Sequence, residues 1–234
     1  MHKNVVITNL FLLVLAVTLS YCGFSQKINT DSLLRTHRDS LLKAAIHTDS
    51  VKIEKQYEQQ QRWEMLKASA QFPVINAGEQ SGVIPVKDPT ELPDPAMDYK
   101  LLFELTVKNP DSLLKEVNLG LTEISRIINL HVASGVPLKK IIPVILIHGG
   151  ALSAVTSSKY FKDHYKIDNP NLKVINDLKN IGTRFIACGQ AMAFWNIKKE
   201  ELLPDVKVSL TAQTVLSTYQ LKGYVLYSIA EDKR

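Results

Sequence analysis

Cysteine is scarce in this sequence, which has only Cys22 and Cys188 among its 234 residues. No His-x-x-x-His or Cys-x-x-Cys spacing occurs, so a closed zinc site lacks ligands. The sequence also lacks the G-x-S-x-G elbow of an α/β esterase and both glycine-rich nucleotide-binding patterns. We therefore expect neither a metal nor a cofactor.

A strong charge of one sign is also missing. The formal net charge is +5, a mild excess that is spread along the chain. No dense basic stripe with interleaved aromatic residues is present, which argues against nucleic-acid binding. The apolar and charged fractions are close to those of ordinary globular proteins, so we expect one domain of moderate size with additional segments.

Residues 1–25 have the layout of a secretory signal peptide, with a short basic start and the apolar run LFLLVLAVTL at residues 10–19. That run is too short for a stable membrane span, which needs about 20 apolar residues. Small residues at Gly23 and Ser25 predict cleavage before Gln26, which removes Cys22 and lowers the net charge from +5 to +4 through the loss of Lys3. The protein is then periplasmic or extracellular.

A competing interpretation is a lipoprotein whose lipidated first residue is Cys22. Tyr21 is bulky where that pathway expects a small residue, so cleavage before Gln26 is favoured.

Two segments precede the main domain. Residues 26–71 read as helical, because residues 30–71 contain no glycine or proline and repeat the motif DSLL at Asp31 and Asp39. This helix or helical hairpin is expected to lean on the domain or on another subunit. Residues 72–98 hold five of the ten prolines and should form an extended connector laid along the domain surface.

Residues 99–234 alternate apolar runs with helical stretches, which predicts an α/β fold with three α/β/α layers and a mostly parallel five-stranded sheet. Pro143 should start its strand, since proline cannot donate a ladder hydrogen bond. Strands are expected at residues 99–106, 141–148, 183–187, 206–210 and 224–229. Helices are expected at residues 110–133, 151–164, 171–180, 190–195 and 212–222.

Ligands of such sheets bind beyond the carboxyl ends of the strands. Cys188 lies where the third strand gives way to a helix, and a helix amino terminus stabilises a thiolate. Gly189 beside it would let a ligand or another chain approach the backbone. The alternative is that Cys188 is a small apolar filler at the end of a buried strand.

His148 is the second candidate at this edge. Together with the amides of Gly149 and Gly150 it could line the cavity that contains Cys188, as a proton donor or an anion cradle. The alternative is a histidine that satisfies a local backbone group. Gln190 follows Cys188 at the same edge. Trp63 and Trp195 are both expected to pack, although Trp195, close after Cys188, could also form a wall of this pocket.

The stretches RFIACGQAMAFWNIKKEELLPDVKV and VILIHGGAL make residues 99–234 resemble the DsrE/DsrF family, the small α/β sulfur-relay proteins that include the TusD type. In that family a strand ends in a cysteine, and a short helix and an acidic-Leu-Leu-Pro turn follow. A last strand opens with Gly-Tyr, and an earlier strand ends in His-Gly. The corresponding residues here are Cys188, Glu201, Leu202, Leu203, Pro204, Gly223, Tyr224, His148 and Gly149.

The resemblance implies a DsrEFH-like α/β/α domain that assembles into trimers or hexamers. It puts Cys188 in the place of the cysteine that takes up sulfane sulfur as a persulfide and passes it between a donor and an acceptor protein. His148 carries over as a pocket position. The alternative is a non-catalytic oligomeric or partner-binding module with a structural cysteine. A redox sensor is the weakest interpretation, because the mature chain lacks a second cysteine.

Overall fold

The computed structural model describes residues 30–230 of the chain. The predicted signal peptide and Cys22 lie outside the described residues. The described part divides after Gln61 into two units, residues 30–61 and residues 62–230. No helix in this part is both long and apolar enough to cross a membrane.

The helical segment forms one continuous helix, α1 (Thr30–Ala68), and not a helical hairpin. The absence of glycine and proline over these residues explains why it runs uninterrupted for 39 residues. Leu41 and Leu42, the two leucines of the second DSLL motif, are both exposed. In the unit of residues 30–61, Val51 is the one residue from position 35 onward that is not exposed.

The second unit contains the predicted α/β sheet, which has five strands and is parallel throughout. The strand order is β4-β3-β2-β1-β5. The prediction of a mostly parallel five-stranded α/β fold is therefore confirmed. The strands are β1 (Tyr99–Leu105), β2 (Ile141–Ile147), β3 (Arg184–Cys188), β4 (Lys207–Ser209) and β5 (Val225–Ile229).

Helices cover the two faces of the sheet unequally. The helices are α2 (Leu119–Ala133), α3 (Ser158–Tyr165), α4 (Leu172–Asn180), α5 (Gly189–Trp195) and α6 (Ala212–Leu221). Short 3-10 helices lie at Glu79–Ser81, Asp111–Leu113, Leu138–Lys140, Gly149–Val155 and Lys199–Glu201. Buried side chains of α2, α4 and α5 belong to the larger apolar cluster on one face, whereas the smaller cluster on the opposite face is packed against α6.

The long helix predicted over residues 110–133 is wrong in its first third, because α2 begins only at Leu119. The side chains of two asparagines form hydrogen bonds with the backbone around this segment. Asn109 Nδ2 donates to the carbonyls of Leu113, Glu116 and Val117, which holds residues 110–118 as a loop. Asn118 then caps α2 by accepting from the amides of Gly120 and Leu121.

Pro143 does not start its strand but lies two residues inside β2. The pairing of β2 with β3 begins only at Val144, opposite Arg184. Pro143 therefore occupies the part of β2 that is paired on one side alone, by Leu101 of β1. This place tolerates a residue that cannot donate to a second neighbour.

Candidate functional site at the carboxyl edge of the sheet

Cys188 and His148 lie side by side at the carboxyl edge of the sheet. Ala187 of β3 pairs with Ile147 of β2, so the next residue on each strand is one of these two candidates. The amide of His148 donates to Leu105 of β1, which continues the ladder by one residue. Because side chains alternate between the faces of a strand, both side chains belong to the face that α6 covers.

The sulfur of Cys188 is directed at the start of α6. Cys188 Sγ accepts the backbone N–H of Ala212, the first residue of that helix, at 3.2 Å. The sequence suggested the helix that follows Cys188 in the chain, but the amide that contacts the sulfur comes from a different element. A backbone N–H at a helix amino terminus is a donor of the kind that an anionic sulfur would accept.

Cys188 is a free cysteine and only 4% exposed. It packs in the smaller apolar cluster with residues of the three central strands and α6, namely Leu102, Val144, Leu146, Ile186, Ala212, Val215 and Tyr219. Cys188 thus lies among aliphatic and aromatic side chains, and its sulfur also accepts the Ala212 amide. This packing accounts for the low exposure of the thiol.

Glu104 is a member of this site that the sequence analysis missed. His148 Nε2 lies 3.0 Å from Glu104 Oε1, and Ser228 donates to the second carboxylate oxygen at 3.3 Å. The side chains of His148 and Glu104 are 25% and 19% exposed. The available signal was a glutamate between the apolar residues Phe103 and Leu105.

Gly189 is required by the packing of the chain itself. A Cβ atom at this position would lie 2.6 Å from the carbonyl oxygen of Ser209 in β4. The adjacent amide of Gln190 donates to Leu210, which ties the start of α5 to the residue after β4. The neighbouring strand therefore approaches the backbone at Gly189. The Gln190 side chain is exposed.

The other predicted residues, Gly149, Gly150 and Trp195, line a separate pocket, called here the edge pocket. Its volume is about 90 Å³, and it does not include Cys188 or His148 in its lining. The lining residues are Lys108, Gly149, Gly150, Leu152, Ser153, Tyr160, Tyr165, Trp195 and Ile197. Leu152 and Ile197 belong to the larger apolar cluster, so the edge pocket lies on the opposite face of the sheet from Cys188.

Two features shape the edge pocket. Gly149 has φ +60, a left-handed conformation that favours glycine, and a Cβ on Gly150 would approach Lys108 Cβ to 2.8 Å. Burial raises the pKa of Tyr160, which keeps its hydroxyl protonated as a hydrogen-bond donor. Trp195 is 52% exposed and forms an open wall.

Within residues 30–230 no three histidine, cysteine or carboxylate groups come together as a candidate metal site.

Residues 117–227 match the DsrE/DsrF-like family. A solved structure, the protein of unknown function MTH1491 from Methanobacterium thermoautotrophicum, is similar at 16% identity and a TM-score of 0.41, covering 56% of this chain and 99% of that one. No curated protein matches the sequence significantly.

Proposed function

Because residues 117–227 of this chain belong to the DsrE/DsrF-like family, we propose that the protein binds sulfane sulfur as a persulfide on Cys188. The observation that carries the proposal is the hydrogen bond from the Ala212 amide to Cys188 Sγ, beside the His148–Glu104 pair. A backbone donor at the start of α6 favours the anionic sulfur that such chemistry needs.

The proposed loading step is an exchange of sulfur–sulfur bonds. The Cys188 thiolate attacks the sulfane sulfur of a polysulfide or of a donor persulfide R–S–SH. A bond forms between Cys188 Sγ and that sulfur while the donor S–S bond breaks, which gives Cys188–S–SH and a thiolate R–S⁻. The step involves no net oxidation, because each sulfane sulfur lost by the donor is gained by Cys188. The neighbouring imidazole of His148 takes up the thiol proton before the attack.

We propose that a sulfur donor reaches the buried Cys188 sulfur when β4 separates locally from β3. This edge strand has three residues and pairs only with β3. Ser209 and Thr211 lie at its end, where the chain passes from β4 into α6 next to Cys188. A short strand with few ladder bonds opens at a lower free energy than the centre of a sheet.

We also propose the compartment in which the protein acts. Cleavage of residues 1–25 would deliver a protein to the periplasm or the extracellular space, with Cys188 as its one cysteine. A single cysteine suits a carrier, because no second thiol can convert the persulfide into an internal disulfide. We further propose a homo-oligomer, a trimer or hexamer, that exchanges sulfur with a donor or acceptor protein.

The test is intact mass spectrometry of the exported protein after exposure to polysulfide. Wild-type protein should gain adducts of about 32 Da, one sulfur atom each, that reductant removes. Cys188→Ser should gain none. Absence of adducts on the wild type, or equal adducts on both proteins, would overturn the proposal. The same spectrum shows whether the chain starts at Gln26.

A second candidate function is a non-catalytic binding module in which Cys188 is structural. The 4% exposure of Cys188 and its apolar surroundings favour this alternative. Thiol alkylation separates the two functions. A carrier should be labelled in the folded protein at neutral pH, whereas a structural cysteine should be labelled only after unfolding.

A further inference from the structure

A second cavity, larger than the edge pocket, is lined by residues that are distant in sequence from Cys188. It is called here the leader cavity. Its volume is about 530 Å³, within the range of small-molecule sites. It is formed by the last turns of α1, the connector and one face of α2. The lining residues are Trp63, Lys67, Ala70, Glu79, Gln80, Gly82, Val83, Ile84, Arg126 and Leu130.

The connector wall of the leader cavity is fixed by α2. Asn129 Oδ1 accepts from the amides of Val74 and Ile75, and its Nδ2 donates to the carbonyls of Ile75 and Ser81. Thr122 Oγ1 donates to the carbonyl of Ala77. These contacts come from buried side chains and hold residues 74–81 in place without a ligand. The wall of the cavity is therefore already formed before any ligand binds.

The two ends of the connector wall are joined to each other. Gln71 and Val83 form an antiparallel bridge through both of their amides, at 3.0 and 2.8 Å. A Cβ atom on Gly82 would lie 2.9 Å from Ala70 Cβ, so this closure depends on glycine. The loop therefore holds the residues of the cavity wall in a fixed arrangement.

The walls combine apolar surface with two cations. Trp63 is 56% exposed, contrary to the expectation that it packs, and Val83 and Leu130 supply aliphatic surface. Lys67 Nζ lies 5.7 Å from the centre of the Trp63 ring. Arg126 contributes the second cation, and Glu79 is the one carboxylate in the lining.

Both cations keep donors for a ligand. Arg126 binds Glu123 through Nε and Nη2, at 2.7 and 2.6 Å, and its Nη1 makes no hydrogen bond to another of the described residues. The bond to Glu123 raises the pKa of Arg126. Lys67 Nζ is 3.5 Å from Glu64 and 3.4 Å from Glu79, both long contacts. Although partial desolvation opposes it, these acids raise the pKa of Lys67.

We infer that the leader cavity binds a small organic anion with an aromatic or apolar body. The anionic group, such as a carboxylate, accepts from Arg126 Nη1 and interacts with Lys67. The body lies against the indole of Trp63 and the side chain of Leu130. This activity is independent of sulfur binding at Cys188, because the two sites share no lining residue.

Energy transfer from Trp63 tests the inference with dansylglycine, an aromatic carboxylate, as the probe. The sequence contains two tryptophans, so a Trp195→Phe background leaves Trp63 as the only donor. We expect saturable transfer from Trp63 to the dansyl group, with dansylglycinamide, which lacks the negative charge, binding at least about fivefold more weakly. Absence of saturable transfer up to millimolar probe, or equal binding of the two probes, would overturn the inference.

Charge variants locate the binding. Arg126→Gln and Lys67→Gln should each weaken dansylglycine binding, by about tenfold for Arg126→Gln because a charged hydrogen bond is lost. The matched control is Arg38→Gln, whose guanidinium is exposed, pairs with Asp39 and lies outside the cavity. Circular dichroism checks that each variant is folded. Unchanged binding in both cavity variants would contradict the inference, as would an equal loss in the control.

Discussion

The imidazole of His148 is held by Glu104, whose Oε1 lies 3.0 Å from His148 Nε2 across the β1–β2 pair. Because Nε2 is engaged with the carboxylate, Nδ1 is the nitrogen left to exchange a proton with a neighbouring group. Under the proposed function, Glu104 is a positioning residue and Cys188 is the residue that contacts the transferred sulfur.

The first prediction concerns the charge of Glu104. Glu104→Gln keeps the size of the side chain but replaces an ionic hydrogen bond with a neutral one, so we expect sulfur loading of Cys188 to slow by roughly tenfold. The rate is followed by the growth of the sulfur adduct in intact mass spectra. Ser228→Ala is the matched control, since it removes only a 3.3 Å bond from an exposed serine. Wild-type loading in Glu104→Gln would show that the carboxylate has no part in the step.

The second prediction concerns Gly189 and Gly149, which require glycine for different reasons. Gly189→Ala should lower the free energy of unfolding by about 1–3 kcal/mol, because the added Cβ overlaps the Ser209 carbonyl. Gly149→Ala should cost about 1–2 kcal/mol through its left-handed backbone alone. Urea unfolding measures both values.

Asparagine substitutions provide the control for these two glycines. Asparagine tolerates the left-handed conformation, so Gly149→Asn should be less destabilising than Gly149→Ala. Gly189→Asn should be no better than Gly189→Ala, since it also carries a Cβ. The opposite order at either position would disprove the assigned cause.

The third prediction concerns Asn129, which satisfies four backbone groups of the connector. Asn129→Ala leaves these groups unpaired in a buried place and should cost about 3 kcal/mol of unfolding free energy. Asn76→Ala is the control, because Asn76 accepts a single exposed bond from Gly78 and should cost under about 0.5 kcal/mol. Equal effects of the two substitutions would mean that the connector contributes no stability through Asn129.

The fourth prediction is a loss of stability in acid. Hydrogen bonds from Lys140, Lys159 and Lys179 hold the pKa values of Asp98, Asp163 and Asp205 below their usual range. A carboxylate whose pKa is lower in the folded chain contributes stability at pH values above its unfolded pKa. That stability is lost as the pH falls through the folded pKa.

Thermal unfolding between about pH 5 and pH 2 measures this loss. The triple variant with asparagine at the three aspartates should show a flatter pH dependence than the wild type. High salt should reduce the difference, because all three pairs are exposed to solvent. A steeper dependence in the triple variant would be incompatible with stabilising pairs.

Most of the sheet could be predicted because its strands carry a simple signal. Runs such as Val144–Ile147 are apolar on both faces, and the helices between them make parallel pairing the natural topology. The start of α2 could not be predicted in this way. Its position is set by the side-chain amides of Asn109 and Asn118, whose hydrogen bonds depend on a folded loop and leave no periodic pattern.

The candidate site was predicted in part for a related reason. Cys188 and His148 directly follow apolar strands, so the sequence predicts them at one edge, and the register places them side by side. Gly150 and Trp195 instead line the edge pocket, which lies on the opposite face of the sheet. The hydrogen bond from the Ala212 amide to Cys188 Sγ joins residues 24 positions apart. No local sequence pattern predicts such a contact.

The four bonds of Asn129 have a consequence for proteolysis. Trypsin can reach the exposed chain after Lys87, beyond the bridge between Gln71 and Val83. A cut there separates the backbone into two pieces, yet the piece that ends at Lys87 still presents Val74, Ile75 and Ser81 to the same amide. The nicked protein should therefore stay together as a non-covalent complex on a sizing column and come apart only in denaturant.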